Sequence, residues 1–218
     1  GDNGILDLSQ ASRLELGTGW LVPPRLLHAP GSLCTYEPQW ASDVLAMYQS
    51  LVDGHAIPWD LLVQDVPARH HHDLDYLVEQ LDWEANLDPS FREMHLLRPR
   101  EASAGQGFVD RWVVYGRIGG DDLFSAKELT LEPGATCTLS DAGAFGLTCV
   151  QGMGTINGEP LASPTLIRFG ELTDDEWFCS EPGARHGVTF TNTSHTEPLV
   201  TLRYFGPGVW GGELPGPA

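Results

Sequence analysis

Apolar and polar positions alternate in short runs near the start of the chain: Ile5-Leu6-Asp7-Leu8, Arg13-Leu14-Glu15-Leu16, then Gly19-Trp20-Leu21-Val22 before Pro23-Pro24. A period of two sends successive side chains to opposite faces, so residues 1–39 predict short half-buried strands. From Trp40 to Val52 the period lengthens. Val44, Leu45, Tyr48, Leu51 and Val52 fall at helical spacing behind Ser42 or Asp43, which predicts a capped helix. A second helix is predicted from Leu74 to Leu81, capped by Asp73, with Leu74, Leu77, Val78 and Leu81 on one face. The stretch Asp82 to Arg100 is acidic, aromatic and broken by Pro89 and Pro99, and reads as a connecting arm.

Beyond Gly107 the pattern is all strand. The candidates are 111–118, 123–131, 136–139, 145–151, 166–169, 176–179, 187–191 and 199–205. Glu132-Pro133-Gly134, Ile156-Asn157-Gly158 and Glu181-Pro182-Gly183 supply turns between them. Short strands at this spacing predict a β-sandwich or barrel, and no βαβ alternation argues for a parallel sheet. The tail after Gly206 reads as an extended or disordered arm.

Composition narrows the function. The 218 residues carry 30 acids against 12 bases, a formal net charge of -18. Such a surface repels phosphate backbones and anionic membranes, so neither nucleic acid nor membrane is an expected partner. No run is long and apolar enough for a spanning helix, and the first residues lack the basic and apolar regions of a signal peptide. Cys34, Cys137, Cys149 and Cys179 stand far apart and read as reduced cysteines of a cytoplasmic protein. A matured secreted chain would carry the same pattern.

The C-terminal half resembles the cupin superfamily of double-stranded β-helix (jelly-roll) barrels. The resemblance rests on Gly134 and Gly154 as the outer glycines of the first cupin motif, and on Gly183-Ala184-Arg185-His186 in the second, with Pro182 one place late. In the family, His, His, Glu and His of these motifs hold one metal. Here Ser140, Ala142 and Leu147 stand at the first three positions and Phe190 at the Asn of the second motif, so only His186 remains. One imidazole does not hold a catalytic metal, and this barrel is expected to be apolar inside and metal-free. Its ligand pocket would be lined by Ser140, Leu147, Cys149 and His186. The N-terminal segment resembles the second half of another cupin barrel: Gly17, Pro23 and His28 keep the second-motif spacing, with Arg25 at its inner Gly and Ser32 at its Asn.

The resemblance therefore implies a mainly β two-barrel (bicupin) layout. Residues 1–39 would be C-terminal strands of a first barrel, 40–107 a helical connection, 108–207 a second barrel, and 208–218 a tail. The strands expected before residue 1 are missing, so either the chain is a piece of a longer bicupin or another polypeptide completes the first barrel. Two functions follow. One is a metal-dependent small-molecule enzyme of oxygenase or isomerase type, with Fe, Mn, Ni, Zn or Cu at His28 in the first barrel. The other is a non-catalytic cupin that binds a small ligand or serves assembly. Unclosed strands in 1–39 would expose sheet edges, which predicts a homodimer or association with the missing part of the first barrel. His70-His71-His72 reads as a solvated helix start, because adjacent side chains diverge and rarely chelate one ion. Nothing resembles a Ser-His-Asp arrangement or a dinucleotide fingerprint.

Overall fold

The computed structural model describes residues 4–31, 33–40, 42, 44–118, 121–122, 124–164 and 169–212. The chain divides into two compact units, one of Gly17–Leu21 with His95–Ala218 and one of Gly1–Leu16 with Val22–Met94.

The first of these is built from ten main strands: β1 (Arg100–Gly105), β2 (Phe108–Val114), β3 (Ser125–Leu131), β4 (Thr136–Leu139), β5 (Phe145–Gln151), β6 (Met153–Ile156), β7 (Glu159–Ala162), β8 (Glu176–Cys179), β9 (Val188–Asn192) and β10 (Leu199–Phe205). They form two antiparallel sheets in the orders β8-β5-β10-β3-β2-β1 and β4-β9-β6-β7. From β3 onward each connection crosses to the other sheet, apart from the β6–β7 hairpin. That alternation is a jelly roll, and the fold is mainly β, as the strand pattern predicts. The hairpin turns on Asn157 and Gly158, at φ 50° and 88°; such left-handed values make a turn whose twist matches the strands.

The period-two pattern buries one face of each sheet. Leu129, Leu131, Leu139, Phe145, Leu147, Val188, Phe190 and Leu199 make a continuous core between them. Gly154 lies where β6 pairs with β9, and a Cβ there would stand 2.0 Å from the carbonyl oxygen of Thr191. Asn192 is buried at the end of β9. It donates through Nδ2 to the carbonyls of Leu131 and Glu197, and its Oδ1 accepts from the Ser194 amide, so its role is to tie a turn.

Strands 136–139, 145–151, 176–179 and 199–205 form within the predicted bounds, and 187–191 is shifted by one residue. The run predicted at 166–169 lies largely outside the described residues. Of the ten main strands, β1, β6 and β7 lie outside the predicted runs. The 181–186 segment is a helix, α5 (Glu181–His186), rather than a bare turn, because Pro182 fits a helical first turn. The tail is not a free arm as far as it is described. Trp210 is buried, edge-on to Trp112 at 5.2 Å and tilted against Tyr115 at 5.0 Å. Gly19–Trp20 pairs with Leu96–Leu97 in this unit.

The N-terminal unit differs more from expectation. Residues Ile5–Leu8 form a 3-10 helix, and 13–16 join no ladder. No helix forms in the described part of 40–52. Leu51–Val52 instead pairs with His55–Ala56 around Asp53-Gly54, at φ 47° and 80°; the Asp-Gly pair favours a tight hairpin over helix continuation. The helix α1 (Asp60–Val63) precedes α2 (Leu74–Glu79), which starts at Asp73 as predicted: its carboxylate accepts from the Tyr76 amide at 3.1 Å. The expected arm 82–100 holds α3 (Trp83–Asn86), capped in the same way by Asp82, and α4 (Phe91–His95). Among the described residues of this unit only Val63, Leu77 and Leu81 are buried apolar side chains.

Candidate functional site

The middle of the six-stranded sheet presents one row of facing residues to the interior. Trp177 of β8 pairs with Leu147 of β5, Leu147 with Arg203 of β10, Arg203 with Lys127 of β3, and Lys127 with Trp112 of β2. Two cations thus stand side by side inside the jelly roll. Asp110, two residues before Trp112 on the same face, and Asp141, in the loop after β4, meet them. Arg203 is fully buried; its Nη1 donates to Asp141 Oδ2 at 2.6 Å and its Nη2 to Asp110 Oδ1. Lys127 Nζ donates to Asp141 Oδ1 at 2.6 Å and lies 3.5 Å from Asp110 Oδ2. Two positive and two negative groups close into a ring with no net charge, which is what allows ions to be taken out of water together.

Aromatic rings wall the ring of charges. Lys127 Nζ lies 4.5 Å from the Trp112 centroid, and the Arg203 guanidinium lies 5.7 Å from Phe145 and 5.8 Å from Phe190. The hydroxyls of Ser125 and Thr201 and the Nε of Arg203 are buried on the same interior face without a hydrogen-bond partner. Asp141 is held from its backbone as well: its amide donates to the carbonyl of Ala184 in α5 at 3.0 Å.

The expected interior pocket is only partly assembled. Leu147 and Cys149 face inward at 0% and 1% exposure. Ser140 and His186 are exposed and do not meet them. The reason is phase. Leu139 and Asp141 point in, so Ser140 and Ala142 point out. His186 sits in the last turn of α5, of which Ala184 is the buried residue. The expectation of a wholly apolar interior is also corrected, since Asp110, Lys127, Asp141 and Arg203 lie within it. The signal was present in the pattern: Lys127 is in phase with Leu129 and Leu131, and Arg203 with Leu199 and Phe205.

These residues do not fit the metal that the cupin resemblance implies. Leu147 offers no donor atom, the other three positions (Ser140, Ala142 and His186) are exposed, and the two interior carboxylates are already engaged by an ammonium and a guanidinium. Among the described residues no group of three or more His, Cys, Asp or Glu is placed to hold a metal ion. His28 is exposed, and its Nδ1 lies 2.9 Å from the carbonyl of Leu26 two residues earlier. The three consecutive histidines diverge: His70 pairs with Asp73 at 3.1 Å, His71 bonds the carbonyl of Val66 at 2.8 Å, and His72 stacks on Trp59. Burial pushes the thiols of Cys137 and Cys149 up to about 11, so both are neutral in the folded chain. No helix among the described residues is long and apolar enough to cross a membrane.

No family model matches the chain, and no curated protein matches it. Solved structures do. A chain of the Rhodobacter sphaeroides SigE complex with the anti-sigma ChrR is 12% identical at a TM-score of 0.35, over 49% of this chain and 48% of that one. An RmlC-like cupin from Ralstonia eutropha JMP134 is 9% identical at 0.35, over 50% and 62%. An RmlC-like cupin from Shewanella frigidimarina NCIMB 400 is 13% identical at 0.35, over 50% and 85%. The match thus spans less than two thirds of the first two structures, and the structural neighbours of this mainly β chain include RmlC-like cupins.

Proposed function

We propose that the jelly roll of this chain is a non-catalytic cupin-type module that serves assembly rather than a metal centre. One observation carries the reading: the Asp110–Lys127–Asp141–Arg203 ring fills the interior beside Leu147, where a catalytic metal would need open coordination and donor atoms. The metal-dependent enzyme reading, an oxygenase or isomerase with a divalent ion at His28 in a first barrel, retains only the Gly17, Pro23 and His28 spacing in its favour. Metal analysis of the purified chain after exposure to Fe, Mn, Ni, Zn and Cu tests the choice. Substoichiometric metal, unchanged by His186→Ala, is expected; a stoichiometric ion that His28→Ala or His186→Ala removes would overturn it.

The assembly is a homodimer through the N-terminal unit. Its support is the small core of that unit set against large exposed apolar side chains such as Leu8 at 89%, Leu16 at 106% and Leu87 at 71%. Apolar area left in water forgoes about 25 cal/mol per Å². The net charge of -18 opposes close approach of two copies, but a Debye length of about 8 Å at physiological salt screens most of it. Sedimentation in moderate salt should give a dimer. A clean monomer near 23.8 kDa, with 1–39 protected from proteolysis, would exclude it.

A further inference from the structure

The geometry points to a covalent cross-link inside the jelly roll: an amide bond between Lys127 Nζ and the side-chain carboxyl of Asp141. Three conditions for such a condensation meet at this place. The first is contact. Nζ stands 2.6 Å from Asp141 Oδ1, and the two residues are held on different parts of the fold, Lys127 in the middle of β3 and Asp141 in the loop after β4. Only a short closing movement of the Lys127 side chain separates the nitrogen from the carboxyl carbon, so most of the encounter entropy is already spent in folding. The second is a proton carrier. Asp110 Oδ2 lies 3.5 Å from the same Nζ and Asp110 is 1% exposed, so an approach of a few tenths of an ångström would let it take a proton from the ammonium and pass it on to the departing oxygen. The third is a fixed positive charge on the far oxygen. Arg203 Nη1 donates to Asp141 Oδ2 at 2.6 Å, where it orients the carboxyl and stabilises the negative charge that this oxygen gains in the tetrahedral intermediate.

The step balances without an outside reactant. The ammonium loses two protons and the carboxylate loses Oδ1; the C–O bond breaks, the N–C bond forms, and one water leaves. No atom is oxidised or reduced. Two formal charges vanish, and Asp110 with Arg203 remains as a neutral pair. Burial supplies the direction. Lys127, Asp141, Asp110 and Arg203 are 9%, 5%, 1% and 0% exposed within aromatic walls, and an amide is far less costly to keep there than an ammonium and a carboxylate. Lys127 is the most exposed of the four, which gives the released water its way out.

Peptide mapping decides the matter. The folded chain is held at neutral pH for several days, then denatured and digested with trypsin. With the cross-link, cleavage after Lys127 is blocked and residues 118–168 appear as one peptide, lighter than its sequence by one water, about 18 Da. Fragmentation should leave 127–141 as a closed loop. Lys127→Arg keeps the cation and should restore the full mass. Asp110→Asn keeps both reacting groups and should slow the loss of water. If the unsubstituted chain gives separate 118–127 and 128–168 peptides at full mass, Lys127 and Asp141 are an ion pair only and the inference fails. That measurement needs no variant to fold, and it is independent of whether the chain binds a metal elsewhere.

Discussion

Replacing Arg203 by Met is the sharpest probe of the interior. The guanidinium is fully buried and bridges Asp110 and Asp141, which are themselves 1% and 5% exposed. Methionine fills much of the same volume, so the change is mainly one of charge. It leaves Asp110, whose other cation contact is Lys127 at 3.5 Å, close to uncompensated in an apolar wall. Removing one partner of a buried ion pair costs about 3–5 kcal/mol, because the remaining charge keeps its desolvation penalty. With a urea dependence of about 2 kcal/mol per molar, the unfolding midpoint should fall by about 1.5–2.5 M. Tryptophan emission follows the transition, since Trp112 and Trp210 pack together within this unit. Adding Asp110→Asn to Arg203→Met should recover part of the loss, because it removes the stranded charge, and the non-additivity measures the coupling. A midpoint shift below about 0.5 M for the single variant, or a double variant weaker than the sum of the two singles, would refute the view that the ring is a mutually compensated unit.

Gly154→Ala should destabilise the same sheet by about 1–3 kcal/mol through overpacking, because its Cβ would meet the Thr191 carbonyl at 2.0 Å; thermal unfolding measures it, and an unchanged midpoint would show that β6 can shift. Cys137 and Cys149 should resist alkylation at pH 8 while the exposed Cys34 reacts, as counted by mass. Both buried thiols have a folded pKa raised from 9.0 to about 11. Their protonated forms therefore contribute stability that is present below pH 9 and lost as pH rises towards 11, so a fold equally stable at pH 8 and 11 would contradict it.

The strands of the jelly roll were legible because half-buried strands print their alternation directly. The 145–151 run carries its buried apolar side chains Phe145, Leu147 and Cys149 at every second position, and the mainly apolar 199–205 run ends at Gly206-Pro207. β6 and β7 escaped because Gly154 and Pro160 interrupt the alternation; there the Asn157-Gly158 turn was the usable signal. The helix expected at 40–52 failed for the opposite reason: apolar spacing suited a helix, but Asp53-Gly54 directs a hairpin at its end. The interior site was the least visible part. Lys127 and Arg203 read as solvated charges one at a time, and only their phase with buried leucines reveals that they point inward. Motif spacing misled at Ser140 and His186, since spacing along the chain does not report whether a strand has ended or a turn has wound into a helix.

The place of β10 in the larger sheet has a consequence for biosynthesis. It lies between β5 and β3, flanked on both sides by strands made earlier, yet it is the last of the ten to leave the ribosome. Until it emerges, β5 and β3 have no common neighbour, and Lys127 and Asp141 lack the guanidinium that β10 supplies. The nascent chain must therefore keep an open sheet with exposed backbone edges through most of its synthesis, and close it in one late step. A ribosome paused before Leu199 would hold a chain unable to form this fold, whatever the strength of its earlier hairpins.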